Sequence, residues 1–114
     1  YNESLQINRK LGDQSGIASS LHQLAMIEED KGNYDEAKRL YNESLQINRK
    51  LGDQSGIAKS LGQLGRLAEK QGDLESAEKC YQDALEIFGK LGEKPYIELA
   101  KKDLERVRKL KQNP

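Results

Sequence analysis

Residues 1–18, YNESLQINRKLGDQSGIA, return letter for letter at 41–58, and over twenty residues the only change is Ser19 against Lys59. A chain that repeats itself so closely builds one structural unit several times, and a fixed period of this size is the signature of a stacked array. The period of 40 persists beyond the copied phrase, through Tyr1, Tyr41 and Tyr81, then Leu5, Leu45 and Leu85, then Ile7, Ile47 and Ile87. Leu11, Leu51 and Leu91 keep the same step, as do Gly12, Gly52 and Gly92, Ile17, Ile57 and Ile97, and Leu24, Leu64 and Leu104. The letters held constant are apolar residues and glycines, the types that pack and turn a chain.

Inside a unit the spacing is helical. Leu21, Leu24, Ala25 and Ile27 recur at three and four, which predicts a helix over roughly 15–31 with one apolar face. Gly32 ends it, Asn33 is placed to cap the next, and Glu36 three residues on completes the pattern of a capping box. A second helix follows over roughly 34–51, with Ala37, Tyr41, Leu45 and Leu51 on one stripe and Ile47 beside it. Gly52 suits the left-handed turn that closes this helix, and Asp53 or Ser55 can cap the one after. Two helices and two short turns fill the forty residues, so the unit is a helical hairpin.

This pattern resembles the tetratricopeptide repeat family. Leu21, Leu24, Ala25, Gly32, Tyr34, Ala37, Tyr41 and Leu45 carry the resemblance in one unit, and Leu61, Leu64, Gly65, Gly72, Leu74, Ala77, Tyr81 and Leu85 in the next. The family's usual unit is about 34 residues. The longer period is similar to kinesin-light-chain-like and prokaryotic signalling arrays, and the usual boundary proline is replaced by Arg49 and Gly89. The resemblance implies an all-α fold, a right-handed superhelical solenoid of antiparallel helix hairpins with six helices. The expected divisions are a truncated second-type helix at 1–12, full hairpins at 15–52 and 55–92, and a C-terminal capping helix at 95–112 opened by Pro95. In that last helix Leu61 is replaced by Lys101 and Gly65 by Glu105, which reads as a solvated outer face.

Composition restricts function. Hydrophobic and charged residues are nearly balanced at 35% and 33%, and the mean hydropathy of −0.89 suits an elongated molecule with thin core layers. Net charge is zero, so no overall field draws the chain to nucleic acid or an anionic membrane. Residues 101–111 do hold six basic and two acidic side chains, but no aromatic stands among them to stack a base. No apolar run approaches the ~20 residues of a membrane span. Cys80 is the single cysteine, which excludes an internal disulfide and fits a cytoplasmic location. It stands in the slot of Leu40 and reads as a small buried hydrophobe.

The chemistry of catalysis is missing. The one histidine, His22, aligns with Gly62 and Lys102, so no ladder of ligands exists, and no third group orients His22 or Cys80. Zinc-ligand spacing and a phosphate loop are both absent. The chain reads as no enzyme, with no cofactor and no metal.

Binding is the remaining class. In the resembling family, partner segments lie in the concave groove against outward positions of the first helices. Carried onto this sequence, those positions are Ser19, His22, Met26, Glu29 and Asp30, then Lys59, Gly62, Arg66, Glu69 and Lys70, then Leu99, Lys102, Arg106 and Lys109. They change between units while packing positions stay fixed. Glu29 and Asp30 give one end acidic character, and Lys102, Arg106 and Lys109 give the other basic character. An ordinary solvated face is the plain alternative. His22, Met26 and Asp103 stand where the family's grip on a terminal carboxylate needs other side chains, which speaks against that grip. The expectation is a scaffold that binds a protein or peptide segment in its groove. The alternative is self-association, a homo-oligomer built through exposed terminal helices.

Overall fold

The computed structural model describes residues 13–113. Five helices follow one another: α1 (Gln14–Asp30), α2 (Tyr34–Leu51), α3 (Gln54–Lys70), α4 (Leu74–Leu91) and α5 (Lys94–Gln112). The helix expected at 1–12 lies outside the described residues. Each helix packs chiefly on the next in sequence, giving a right-handed solenoid of hairpins with Cα extents of 49 × 33 × 19 Å.

Local signals set the boundaries. The carboxylates of Asp13, Asp53 and Asp73 accept from the backbone N–H groups of Gly16, Gly56 and Ser76, at 2.8, 3.0 and 3.2 Å, and so cap α1, α3 and α4. Gly52 closes α2 with φ of 70°, a backbone state that costs any other residue. The capping box expected at Asn33 and Glu36 does not form. Asn33 Nδ2 donates instead to Glu28 at 2.7 Å, and Arg39 draws the Glu36 carboxylate away with two bonds of 2.6 and 3.0 Å.

Small residues let the helices approach. Ala25, Ala37, Ala58 and Ala77 are fully buried. A Cβ on Gly65 of α3 would lie 2.8 Å from the Tyr81 ring of α4, so this hairpin closes only because position 65 has none. The main apolar cluster runs from Ile17 and Leu21 through Tyr41, Leu61 and Leu64 to Phe88 and Ala100, and a second gathers Ala77, Tyr81, Leu104 and Val107. Cys80 is half-buried against the main cluster. Leu51, assigned above to the packing stripe, is 48% exposed. It is the last helical residue before Gly52, at the rim of the turn, where no neighbouring helix covers it.

A two-chambered groove across the first helices

One polar cluster recurs along the array. Tyr41 of α2 donates its hydroxyl to Glu29 Oε1 of α1 at 2.8 Å. Arg66 of α3 donates to both oxygens of that carboxylate at 3.0 and 3.1 Å, and Lys70 adds a bond of 2.7 Å. Forty residues on, Tyr81 donates to Glu69 at 2.9 Å, and Arg106 grips Glu69 at 2.7 and 2.8 Å. Each Glu–Tyr–Arg set joins three successive helices. Burial pushes the Glu29 carboxyl up, but the bonds from Arg66, Lys70 and Tyr41 outweigh it and hold the group down at about 2. The bond from Arg106 likewise lowers Glu69. Tyr41 is raised, by burial first and by Glu29 second.

These sets correct part of the expected groove. Glu29 is not an outward residue: only 3% of it is exposed, and it anchors the α1–α2–α3 junction. The acidic end therefore loses Glu29, which is neutralised by Arg66 and Lys70. At the other end Arg106 is held by Glu69 and Asp103, and Lys109 by Glu105. Arg108 and Lys111 pair with Glu78, so most of the α5 cations already have partners.

Half of the expected positions line two adjoining chambers. The first lies across α1, α2 and α3 and includes Ser19, His22, Ser44, Asn48, Lys59 and Ser60. The second, a cavity of about 240 Å³, lies across α3, α4 and α5 and includes Lys59, Arg66, Phe88, Tyr96, Leu99 and Arg106. Met26, Asp30, Lys70, Lys102 and Lys109 line neither chamber, and nor do Glu29 and Glu69. His22 is half-buried edge-on to Tyr41, with ring centroids 5.4 Å apart, and desolvation followed by Arg66 keeps its pKa below the ordinary histidine value.

The chambers are the same repeat positions with opposite chemistry. Ser44, Asn48 and Ser60 in the first correspond to Ala84, Phe88 and Ala100 in the second, and Ser19 and Lys59 are followed by Leu99. Polar contacts hold the first: Ser44 donates to the Ala18 carbonyl at 2.9 Å, and Asn48 approaches Ser60 at 3.4 Å. Aromatic contacts hold the second. The rings of Phe88 and Tyr96 stack with centroids 4.8 Å apart and an interplanar angle of 13°, and Lys59 Nζ lies 5.2 Å from the Tyr96 centroid. Lys59, Gln63 and Tyr96 line both chambers. The first-helix pattern did not point to Gln63, Phe88 or Tyr96. For Phe88 and Tyr96 the signal lay in positions where one unit departs from its predecessor, Phe88 against Asn48 and Tyr96 against Gly56, whereas Gln63 repeats Gln23 and carries no such signal.

The described residues contain no group of acidic, histidine and cysteine side chains able to hold a metal ion, and none of their helices is long and apolar enough to cross a membrane.

The tetratricopeptide repeat family profile matches residues 1–50 and 16–90. A crystal structure of BtubC (BKLC) from P. vanneervenii superposes with a TM-score of 0.65 at 18% identity, over 96% of this chain and 54% of that one. The chain thus spans about half the length of that structural neighbour. No curated protein sequence matches.

Proposed function

The chain belongs to the tetratricopeptide repeat family, and from that premise we propose that it is a non-catalytic scaffold whose groove across α1, α3 and α5 takes a segment of a partner protein. Repeats of this family generally mediate contacts between proteins. The observation that carries the reading here is the second chamber. Tyr96 and Leu99, 37% and 55% exposed beside the buried Phe88 ring, form an apolar surface set in a recess rather than on the outer rim. Such a surface gains from being covered by another chain. The single cysteine favours a cytoplasmic setting for this contact.

Self-association has less support. The surface of α5 that corresponds to the α4-facing side of α3 carries exposed Lys101 and Glu105 in place of Leu61 and Gly65. A further helix with a tyrosine at the Tyr81 position would meet a glutamate where α3 offers no side chain at all. Nucleic acid has less support too, because Arg106, Arg108, Lys109 and Lys111 are paired within the chain.

Arg66 is a poor probe of the groove, since changing it breaks the Glu29 set. Leu99→Glu is the cleaner test, with Leu91→Glu on the exposed end of α4 as control. Peptides selected from a displayed random dodecapeptide library should lose binding to the Leu99 variant and keep it with the Leu91 variant. Equal binding by both variants would place the site elsewhere.

A further inference from the structure

The two seams between successive hairpins share one plan and differ in chemistry. At the α4–α5 seam Ala84, Phe88 and Ala100 are buried in the main apolar cluster. At the α2–α3 seam the same repeat positions are Ser44, Asn48 and Ser60, equally buried. Ser44 donates back to α1 and so bonds within the first hairpin. The bond that crosses the seam, from Asn48 Nδ2 to Ser60 Oγ, spans 3.4 Å, longer than the usual N–H···O range. On the same chamber wall Gln63 Oε1 is buried without a donor among the described residues. Closing this seam therefore desolvates polar groups that it bonds weakly or not at all, and opening returns them to water.

The seam has a back and a front. Behind it Leu64 and Leu67 of α3 are buried and line a small recess together with Lys38 and Asn42 of α2. In front, Ser44, Asn48 and Ser60 border the first chamber, between α1 and α3. Arg66 and Lys70 cross that chamber to Glu29. They stand about 20–25 Å along α3 from the turn at Gly52, at ~1.5 Å per residue, so a small rotation at the turn moves them far. Water reaches them, since the Arg66 and Lys70 side chains are 44% and 42% exposed, and salt screens such charges. Tyr41 bonds Glu29 within the first hairpin, so that bond survives a separation of α1 from α3. The second seam carries a matching ion pair, Arg106 on Glu69, over the stacked rings of Phe88 and Tyr96. The seams thus differ in their base more than in their clasp.

We propose that the array has a built-in opening point at the α2–α3 seam: the α1–α2 hairpin swings as a unit away from α3, with Glu29, Arg66 and Lys70 as the salt-sensitive latch that holds it shut. Leu64 and Leu67 keep the back of the seam in contact while the front opens. The movement widens the first chamber and leaves the Phe88–Tyr96 recess as it is. It depends on contacts within the chain and not on a partner in the groove.

Double electron–electron resonance on the full chain provides the test, with nitroxide labels at exposed positions and Cys80→Ala removing the native thiol. Lys31→Cys with Gln71→Cys spans α1 and α3, and Gln71→Cys with Lys109→Cys spans α3 and α5. The first pair should show a second, longer distance. Its population should rise between about 0.1 M and about 1 M sodium chloride, as the Debye length falls from about 10 Å to about 3 Å. The second pair should keep one distance throughout. Arg66→Met should raise the longer population about tenfold at low salt, the worth of one charged hydrogen bond. Ser44→Ala with Asn48→Phe and Ser60→Ala, the composition of the α4–α5 seam, should remove it. Circular dichroism checks the variants, and if either loses helical signal the salt series on the otherwise unaltered chain decides alone. One narrow distance for both pairs at every salt concentration overturns the opening. Equal broadening of both pairs shows an evenly elastic array and overturns the α2–α3 seam as its site. A longer population that Arg66→Met leaves unchanged in a folded chain overturns the latch.

Discussion

Arg66 reaches back 37 residues to hold both oxygens of Glu29, at 3.0 and 3.1 Å. That contact, with the Lys70 bond to the same carboxylate, joins α3 directly to α1 and places a nearly inaccessible carboxylate at the junction of three helices. The array is thus held by its alanine and glycine seams and also by a polar set repeated once per unit.

Glu29 gives the fold a defined response to acid. Its folded pKa of about 2 lies below the ordinary glutamate value, so its contribution is complete above the unfolded pKa and is lost as pH falls from there toward 2. Unfolding free energy, measured by urea titration between pH 6 and pH 2.5, should drop with pH in this window. Glu29→Gln should be less stable at pH 6 by about 2–3 kcal/mol, below the cost of breaking a fully buried pair because Arg66 and Lys70 are partly in water. It should also show a flatter dependence below about pH 4.5.

The two sets should differ in strength. Glu29 is almost inaccessible while the Glu69 side chain is 18% exposed, and screening by water weakens an ion pair. The repeat has Met26 where Arg66 and Arg106 stand, so methionine is a fair replacement. Arg66→Met should destabilise the chain by about 2 kcal/mol and Arg106→Met by about 1 kcal/mol or less. Equal losses would show that burial of the carboxylate does not set the strength of the contact.

Glycine separates the seam from the groove. At Gly65 an added methyl meets the Tyr81 ring, and overpacking should cost about 1–3 kcal/mol, offset by up to about 1 kcal/mol of helix propensity. At Gly62, one helical turn away, an added Cβ meets nothing within 4 Å, so Gly62→Ala should gain about 0.5–1 kcal/mol. Opposite signs in denaturant titration are expected from two identical substitutions in one helix.

The surface of α5 leads to a prediction about assembly. With Lys101 and Glu105 exposed where α3 has Leu61 and Gly65, light scattering should return a mass near 12.9 kDa across concentrations. The double variant Lys101→Leu with Glu105→Gly, which restores the α3 pattern, should raise the mass with concentration.

The helices were legible in the sequence because their signals are local: three-and-four spacing, aspartates before α1, α3 and α4, and glycine at each turn. Close approach at Gly65 was legible for the same reason, since a small residue opposite a large one marks a seam. Glu29 was misplaced because a glutamate on a helix is ordinarily solvated. Its burial depends on Tyr41, Arg66 and Lys70, which come from two other helices. A trace was present, since Glu29 and Glu69, Tyr41 and Tyr81, and Arg66 and Arg106 all share the 40-residue step. The groove was only half legible. First-helix positions such as Ser19, Lys59 and Leu99 can be read from spacing, but Phe88 enters from α4 and Tyr96 from the first turn of α5. Both stand where the repeat breaks its own pattern, and only the folded geometry shows that the broken positions meet.

The most direct test of the binding groove is a two-dimensional NMR titration of the full chain with a library-selected dodecapeptide. Amide shifts concentrated around Lys59, Gln63, Phe88 and Leu99, with those of Lys79, Gln82 and Glu86 on the opposite side of α4 unmoved, are the predicted result. Shifts confined to the outer surfaces of α2 and α4 would contradict it.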